Sequence, residues 1–264
     1  MTHLHRAYLD GPFGQIHIHH WGDLDRSENV LICLPPSPYT GRAYNTLAPK
    51  IVANAQSDLC VIAVDYPQFQ GVAKPSIKKY AQAVESVIRQ TCSGKHVTLI
   101  GFHTGCLVAT ETALREGLHI DRLILIDVPF FDDATRETLK ARSMGTLPMT
   151  YDLTDLQPAW DLSVTRQKER VSPQRGLEMF VDHISAGMSA GEPFAAAFEY
   201  ECAAQFAKIT TPSCVIATQA GLYEESLKTA KAIPHATLLD AKNIKASVLE
   251  KSADLTVKYL LDGL

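Results

Sequence analysis

The chain has 264 residues, of which 46% are hydrophobic and 20% are charged, so it can bury the core of an ordinary globular protein. Its net charge of -4, with Lys and Arg scattered along the chain, excludes a basic surface for nucleic acid. No apolar run reaches the roughly 18 residues of a membrane span, and the N-terminus lacks the apolar centre of a signal peptide. We therefore expect a soluble, cytoplasmic protein with no nucleic-acid or membrane partner.

Strand and helix patterns alternate along the first 129 residues. Two alternating stretches, 7–10 and 14–20, predict an antiparallel hairpin at a sheet edge. Four buried-strand runs follow, at 30–34, 59–64, 97–100 and 123–126. Helical patterns separate them, at 43–54, at 76–90 with Ser76 as N-cap, and after the third run as far as Gly117. This order predicts a mostly parallel central sheet with helices on both faces.

The alternation stops between about residues 130 and 205. Apolar residues at helical spacing, with breakers at Pro148, Pro158 and Pro173, predict a helical insertion there. Strand patterns return at 213–218 and 236–240, and helical patterns at 223–232 and 246–261. We therefore predict one core, 1–129 and 206–264, interrupted by a helical cap at 130–205. Aromatic and Met side chains of this cap, including Met149 and Met188, are expected to form its own core and in part to line an apolar pocket.

Neither the histidines nor the cysteines predict a metal site. His17 and His19 share one face of the second strand and His20 takes the other, with no Cys, Asp or Glu at ligand spacing along the chain. This pattern favours a solvated edge strand. The six cysteines occur singly within apolar surroundings, as reduced core residues do. Cys106 follows a helix start, where a thiol pKa can fall, but its apolar neighbours favour packing. No metal or other cofactor is predicted.

Residues 96–109, HVTLIGFHTGCLVA, contain the most informative pattern in the chain. A short apolar strand ends in Gly-Phe-His-Thr-Gly at 101–105, and a helical pattern follows at once. This arrangement resembles the G-x-S-x-G nucleophile elbow of the α/β-hydrolase superfamily, with His103 in the serine position. The order of elements and the Asp-Tyr-Pro turn at 65–67 resemble that superfamily over nearly the whole chain. The G-x-H-T-G elbow is similar to that of a bacterial subgroup.

The resemblance implies a Ser-His-acid triad, but all three positions differ here. His103 replaces the serine, and Gln-Ala-Gly at 219–221 stands where the acid is expected. The loop after the last strand, about 241–246, contains no histidine. His235 precedes that strand and would lie about 17 Å from the catalytic end, at about 3.3 Å per strand residue. This is too far for a general base, which must lie within about 3 Å of its proton.

Another arrangement remains chemically competent. At a helix start, His103 is expected to be neutral near pH 7 and able to act as a general base or a nucleophile. The resemblance implies an oxyanion hole, whose donors would be the N–H groups of Thr104 and Ser37, because the prolines at 35–36 have none. Asp127 ends the sixth strand, where it either orients His103 or a substrate group, or simply begins a loop.

These residues support two hypotheses about function. The first is a cofactor-independent enzyme acting on a small, largely apolar carbonyl compound, by ester or acyl hydrolysis or by lyase-type proton abstraction. Its catalytic residues would be His103 and Asp127, and its oxyanion and substrate contacts Ser37 and Thr104. The alternative is a non-catalytic pseudoenzyme that binds a small ligand or a partner protein. The sequence leaves a homodimer open.

Overall fold

The computed structural model describes residues 3–56, 58–69, 74–142, 150–185 and 192–264. Its strands are β1 (His5–Leu9), β2 (Ile16–Trp21), β3 (Asn29–Leu34), β4 (Leu59–Val64), β5 (His96–Phe102), β6 (Arg122–Ile126), β7 (Ser213–Thr218) and β8 (Thr237–Ala241). They form one eight-stranded sheet in the order β1-β2-β4-β3-β5-β6-β7-β8. β1 with β2 and β2 with β4 are antiparallel, and the remaining pairs are parallel. The predicted fold class is confirmed.

The α-helices of the described residues flank this sheet or connect β6 to β7. They are α1 (Leu47–Asn54), α2 (Ile77–Thr91), α3 (Thr104–Ala113), α4 (Asp133–Arg142), α5 (Gln157–Ser163), α6 (Pro173–Ser185), α7 (Glu192–Phe198), α8 (Cys202–Phe206), α9 (Tyr223–Ala232) and α10 (Ala253–Gly263). None of them is both long and apolar enough to cross a membrane.

Helices cover both faces of the sheet, which explains why β4, an inner strand, is apolar at every position. Every residue of β4 is buried. Apolar residues of α2 and α3 belong to one core cluster, and those of α1 and α10 to a second. The N-cap of α2 is Ser76, as predicted, and its side chain accepts a hydrogen bond from the Lys79 N–H. Each strand that ends toward the elbow is thus held between two packed layers.

Residues 130–205, which we call the cap segment, contain the described helices α4 to α7 and all of α8 except its last residue. Pro158 and Pro173 lie in the first turns of α5 and α6 rather than interrupting a helix, because the N–H groups of a first helical turn have no partner within the helix. Pro148, Met149 and Met188 lie outside the described residues. The division into a core and a cap at these boundaries stays a prediction.

Three expectations about individual elements were wrong. β2 is not an exposed edge strand, since β1 and β4 pair with both of its sides and His19 is buried. α3 ends at Ala113, and Gly117 instead forms a later turn at a φ of 74°. The closing helix begins at Ala253, because serine side chains hydrogen-bond the backbone in the preceding turns and compete with helix formation. Residues 242–252 are therefore a loop.

Candidate active site

The turn between β5 and α3 holds His103 in a strained backbone conformation. Its φ of 49° and ψ of -120° lie in a region that residues other than glycine rarely occupy. The flanking glycines are sterically required, because a Cβ on Gly105 would lie 2.0 Å from the Leu34 carbonyl oxygen and one on Gly101 would lie 2.5 Å from the Cys106 Cα. The turn therefore has the form of a nucleophile elbow, with a histidine at its apex.

His103 lines a cavity of about 360 Å³ that is bounded by the loop after β3, the cap segment and the loop after β8. Its ring packs against Phe102, with 4.2 Å between the ring centroids. Neither ring nitrogen has a hydrogen-bond partner among the described residues. Burial and, to a smaller extent, the positive charge of Arg170 lower the pKa of His103 to about 4. A pKa of about 4 makes the ring neutral at pH 7.

One of the two expected oxyanion donors lies beside this cavity among the described residues. Ser37 lines it directly, and Thr104 is the residue after the elbow histidine. The Thr104 N–H is the first of α3 and has no partner within the helix, and the described hydrogen bonds include none from the Ser37 N–H. The buried Ser37 Oγ also lacks a partner among the described residues. The roles of the Ser37 and Thr104 N–H groups as oxyanion donors stay a prediction.

Asp127 stands at the end of β6 and is fully buried. Its Oδ1 accepts a hydrogen bond from the Thr218 N–H at 2.9 Å, and its Oδ2 accepts one from the Thr218 hydroxyl at 2.6 Å. Burial raises the pKa of Asp127 to about 6, although both bonds favour the ionised form. Asp127 is not among the residues that line the cavity. These contacts are those of a residue that joins the ends of β6 and β7.

The loops in which a triad acid and histidine would be expected contain other groups. In the loop after β7, Ala220 lines the cavity and its carbonyl accepts a hydrogen bond from Nη2 of Arg170 at 3.1 Å. In the loop after β8, Glu250 lines the cavity instead of a histidine. Burial raises the pKa of Glu250. His235 is exposed and precedes β8, in agreement with its exclusion as a base.

Sequence reasoning missed the charged residues of the cavity wall, which are Arg170, Arg175 and Glu250. Arg170 and Arg175 belong to the cap segment, and no local sequence pattern predicts that this segment lies over His103. Glu250 falls in a stretch that was predicted to be helix. The absence of a histidine after β8 was the one available signal that the loop 242–252 carries a different group.

Among the described residues, one group of side chains could hold a metal ion. His17 and His19 on β2 meet Asp65, which follows β4, and one ligand atom from each lies within 4.8 Å of the others. No carboxylate stands at ligand spacing from these histidines along the chain, whereas the pairing of β2 with β4 brings one to them. Asp65 already accepts hydrogen bonds from His17 at 2.9 Å and from the Gly41 N–H at 2.7 Å. These contacts shape the loop after β3.

Cys106 packs beneath the elbow rather than facing the cavity. It is fully buried, its Sγ donates to the Ile126 carbonyl at 3.3 Å, and burial raises its thiol pKa well above the usual value. A thiol in this state is not a nucleophile at neutral pH. The expected packing role therefore agrees with its surroundings.

The sheet order, the elbow and the cavity above it define an α/β-hydrolase-fold protein. Within this class, residues 29–207 match the family model of the thioesterase domain, and the chain belongs to that family. This membership places the chain among enzymes, and hydrolysis is the general type of reaction that it supports. No curated protein is significantly similar to the chain in sequence.

Solved structures with similar folds cover almost the whole chain. A hydrolase from Pseudomonas aeruginosa superposes with a TM-score of 0.75 at 15% identity, covering 98% of this chain and 97% of that one. A bromoperoxidase from Bacillus anthracis superposes with a TM-score of 0.74 at 17% identity, covering 98% of this chain and 99% of that one. An esterase from Exiguobacterium antarcticum superposes with a TM-score of 0.70 at 15% identity, covering 97% of this chain and 98% of that one. At these identities the similarity establishes the fold alone.

Proposed function

We propose that this enzyme hydrolyses a small acyl ester or thioester, with His103 acting as a general base from the position that a serine occupies elsewhere in the superfamily. On this proposal the G-x-H-T-G elbow marks a subgroup of the thioesterase domain family. The observation that carries the proposal is a neutral imidazole with no hydrogen-bond partner among the described residues, held at the elbow and facing a cavity.

In the proposed reaction, the free nitrogen of His103 takes a proton from a water molecule as the water oxygen attacks the acyl carbon. The carbonyl oxygen becomes negatively charged and is stabilised by the N–H groups of Ser37 and Thr104. The tetrahedral intermediate then expels the alcohol or thiol, which receives the proton from the imidazolium. The products are the carboxylic acid and the alcohol or thiol, and His103 returns to its neutral form.

The proposal assigns Asp127 a positioning role. Both of its carboxylate oxygens accept hydrogen bonds from Thr218, so Asp127 holds the end of β6 to the end of β7. Proton abstraction by a lyase route, which the sequence alone also allowed, receives no support from membership of a hydrolytic family.

The test is turnover of a panel of short p-nitrophenyl esters and acyl thioesters by the purified chain and two variants of the elbow residue. For the best substrate, H103A and H103Q should lower kcat by about 100-fold or more, the usual contribution of a general base. H119Q is the control, because the His119 side chain is 86% exposed. Its kcat should stay within about twofold of the original, and thermal melting should show that all three variants fold.

Full turnover by folded H103A would overturn the mechanism. If no substrate of the panel is turned over but members stabilise the chain against heat, the alternative of a non-catalytic binding protein replaces it. Trapping with hydroxylamine separates the general-base route from attack by the ring itself, since only the latter forms an acyl-imidazole on His103.

A further inference from the structure

One charged side chain of the cavity wall has no partner of opposite charge among the described residues. Besides His103, the titratable side chains of this wall are Tyr39, Arg170, Arg175 and Glu250. Arg175 is neutralised, since Nε lies 3.2 Å from Glu250 and Nη1 lies 3.2 Å from Glu178. Arg170 lies within ion-pair distance of no carboxylate among the described residues, and its guanidinium donates to the Ala220 carbonyl alone. Arg170 is therefore the one charged group of the described cavity wall without a partner of opposite charge.

Arg170 contacts the loop in which the acid of a catalytic triad would be expected. Ala220 lies in the loop after β7, where a triad acid would stabilise a protonated histidine. Here the Arg170 guanidinium contacts that loop, and its positive charge disfavours the protonated form of His103. A guanidinium with unused N–H groups in a partly closed cavity is suited to a planar anion, which it binds through two parallel hydrogen bonds.

We propose that Arg170 is a binding site for the carboxylate of an anionic substrate, so that the enzyme selects acyl compounds that carry a free carboxylate beside the scissile ester or thioester. The proposal deepens the proposed function and rests on the same cavity. It departs from the sequence expectation of a largely apolar substrate, because the arginine that sets the selectivity comes from the cap segment.

A bound carboxylate would act on the chemistry as well as on affinity. It would neutralise Arg170 and remove the positive charge that opposes protonation of His103. The imidazole would become a stronger base only when the anionic substrate is present. Neutral substrates of the same shape would leave Arg170 unpaired and His103 weakly basic. The charge of Arg170 would therefore favour anionic over neutral substrates both in binding and in proton transfer.

The test uses binding of ketones, which contain no scissile bond. Titration calorimetry compares 5-oxohexanoate and 6-oxoheptanoate with their neutral amides, on the purified chain and on R170Q, R170K and R166Q. One of the two carboxylates should bind at least about 10-fold more tightly than its amide, and R170Q should lose this preference, as expected for a hydrogen bond to a charged group. R170K should retain part of it. Arg166 is exposed in the same segment, so R166Q should behave like the original chain.

A second readout is the pKa of His103, followed by NMR of its ring protons. It should rise from about 4 when the carboxylate binds, and it should be higher in unliganded R170Q than in the original chain. Equal binding of carboxylates and amides, or an unchanged preference in folded R170Q, would overturn the proposal. Because neither readout depends on turnover, failure of this anion site is distinguishable from failure of His103 as a catalyst.

Discussion

His103 and Asp127 end adjacent strands and both have positive φ values, 49° and 51°. Burial nevertheless moves their pKa values in opposite directions, to about 4 for the histidine and about 6 for the aspartate. The reason is common to both, because a poorly hydrated site penalises whichever form is charged. At pH 7 the histidine is neutral, while the aspartate remains largely ionised and is stabilised by two hydrogen bonds from Thr218.

This difference predicts the effect of D127N. The folded pKa of Asp127, about 6, lies above its ordinary value of 3.8, so the stability that its carboxyl group contributes is present below pH 3.8 and is lost as the pH rises through 6. The asparagine does not titrate and can still bond Thr218. Relative to the original chain, D127N should therefore gain about 2–3 kcal/mol between pH 4 and pH 7, at 1.36 kcal/mol per pKa unit, as measured by urea unfolding.

D121N is the control of opposite sign, because hydrogen bonding holds the pKa of Asp121 below its usual value. This variant should lose stability relative to the original chain as the pH rises. Turnover distinguishes the two roles of Asp127: a positioning residue allows D127N to keep kcat within a few-fold, whereas a loss of about 100-fold would assign it to the reaction itself.

The loops at the carboxyl ends of the strands carry the side chains of the site, and helix α6 is anchored to one of them. The carboxylate of Asp182 on α6 is fully buried and accepts hydrogen bonds from the Thr40 N–H at 3.2 Å and the Thr40 hydroxyl at 2.9 Å. It also pairs with Arg42. Since Arg175 and Met179 of the same helix line the cavity, these contacts set the distance between cap segment and elbow.

Removal of the charge in D182N should therefore lower the free energy of unfolding by about 1–3 kcal/mol, the cost of leaving buried donors poorly paired. Chemical denaturation measures it. D254N is the matched control, because the Asp254 carboxylate is 77% exposed where it pairs with Lys50 and should contribute less than about 1 kcal/mol. Equal losses in the two variants would show that Asp182 does not anchor the helix.

The molecule as a whole buries its cysteines in the two packed layers on either side of the sheet. All six thiols are free, and none is more than 5% exposed. Cys60, Cys92, Cys106 and Cys202 lie in the core cluster with α2 and α3, and Cys33 and Cys214 in the cluster with α1 and α10. The rate at which a reagent modifies these thiols therefore measures how often each layer opens to solvent.

We expect almost no reaction of the native chain with Ellman's reagent at pH 8 and reaction of all six thiols in denaturant. Burial raises the thiol pKa values, to about 12 for Cys60 and about 11 for Cys214, so both access and thiolate formation are suppressed. Rapid modification of a cysteine in the native chain would show that its layer opens locally.

The sequence by itself determined the strands, their alternation with helices and the elbow at His103. These follow from local causes: strands buried on both faces must be apolar throughout, and a turn with no room for side chains must be flanked by glycines. Helix ends were less predictable, as Gly117 and the loop 242–252 show, because serine side chains and single turns compete with helix formation over only a few residues.

Only the tertiary structure decided which charged groups surround His103. Arg170 and Glu250 are distant from the elbow in the chain, and nothing in their local sequence indicates that they share a cavity with it. The same is true of Asp65, which strand pairing brings to His17. Burial and Coulomb interactions depend on distance in space. The pKa of His103 and the charged groups around its cavity therefore depend on the folded chain, whereas the elbow that presents the histidine is encoded locally.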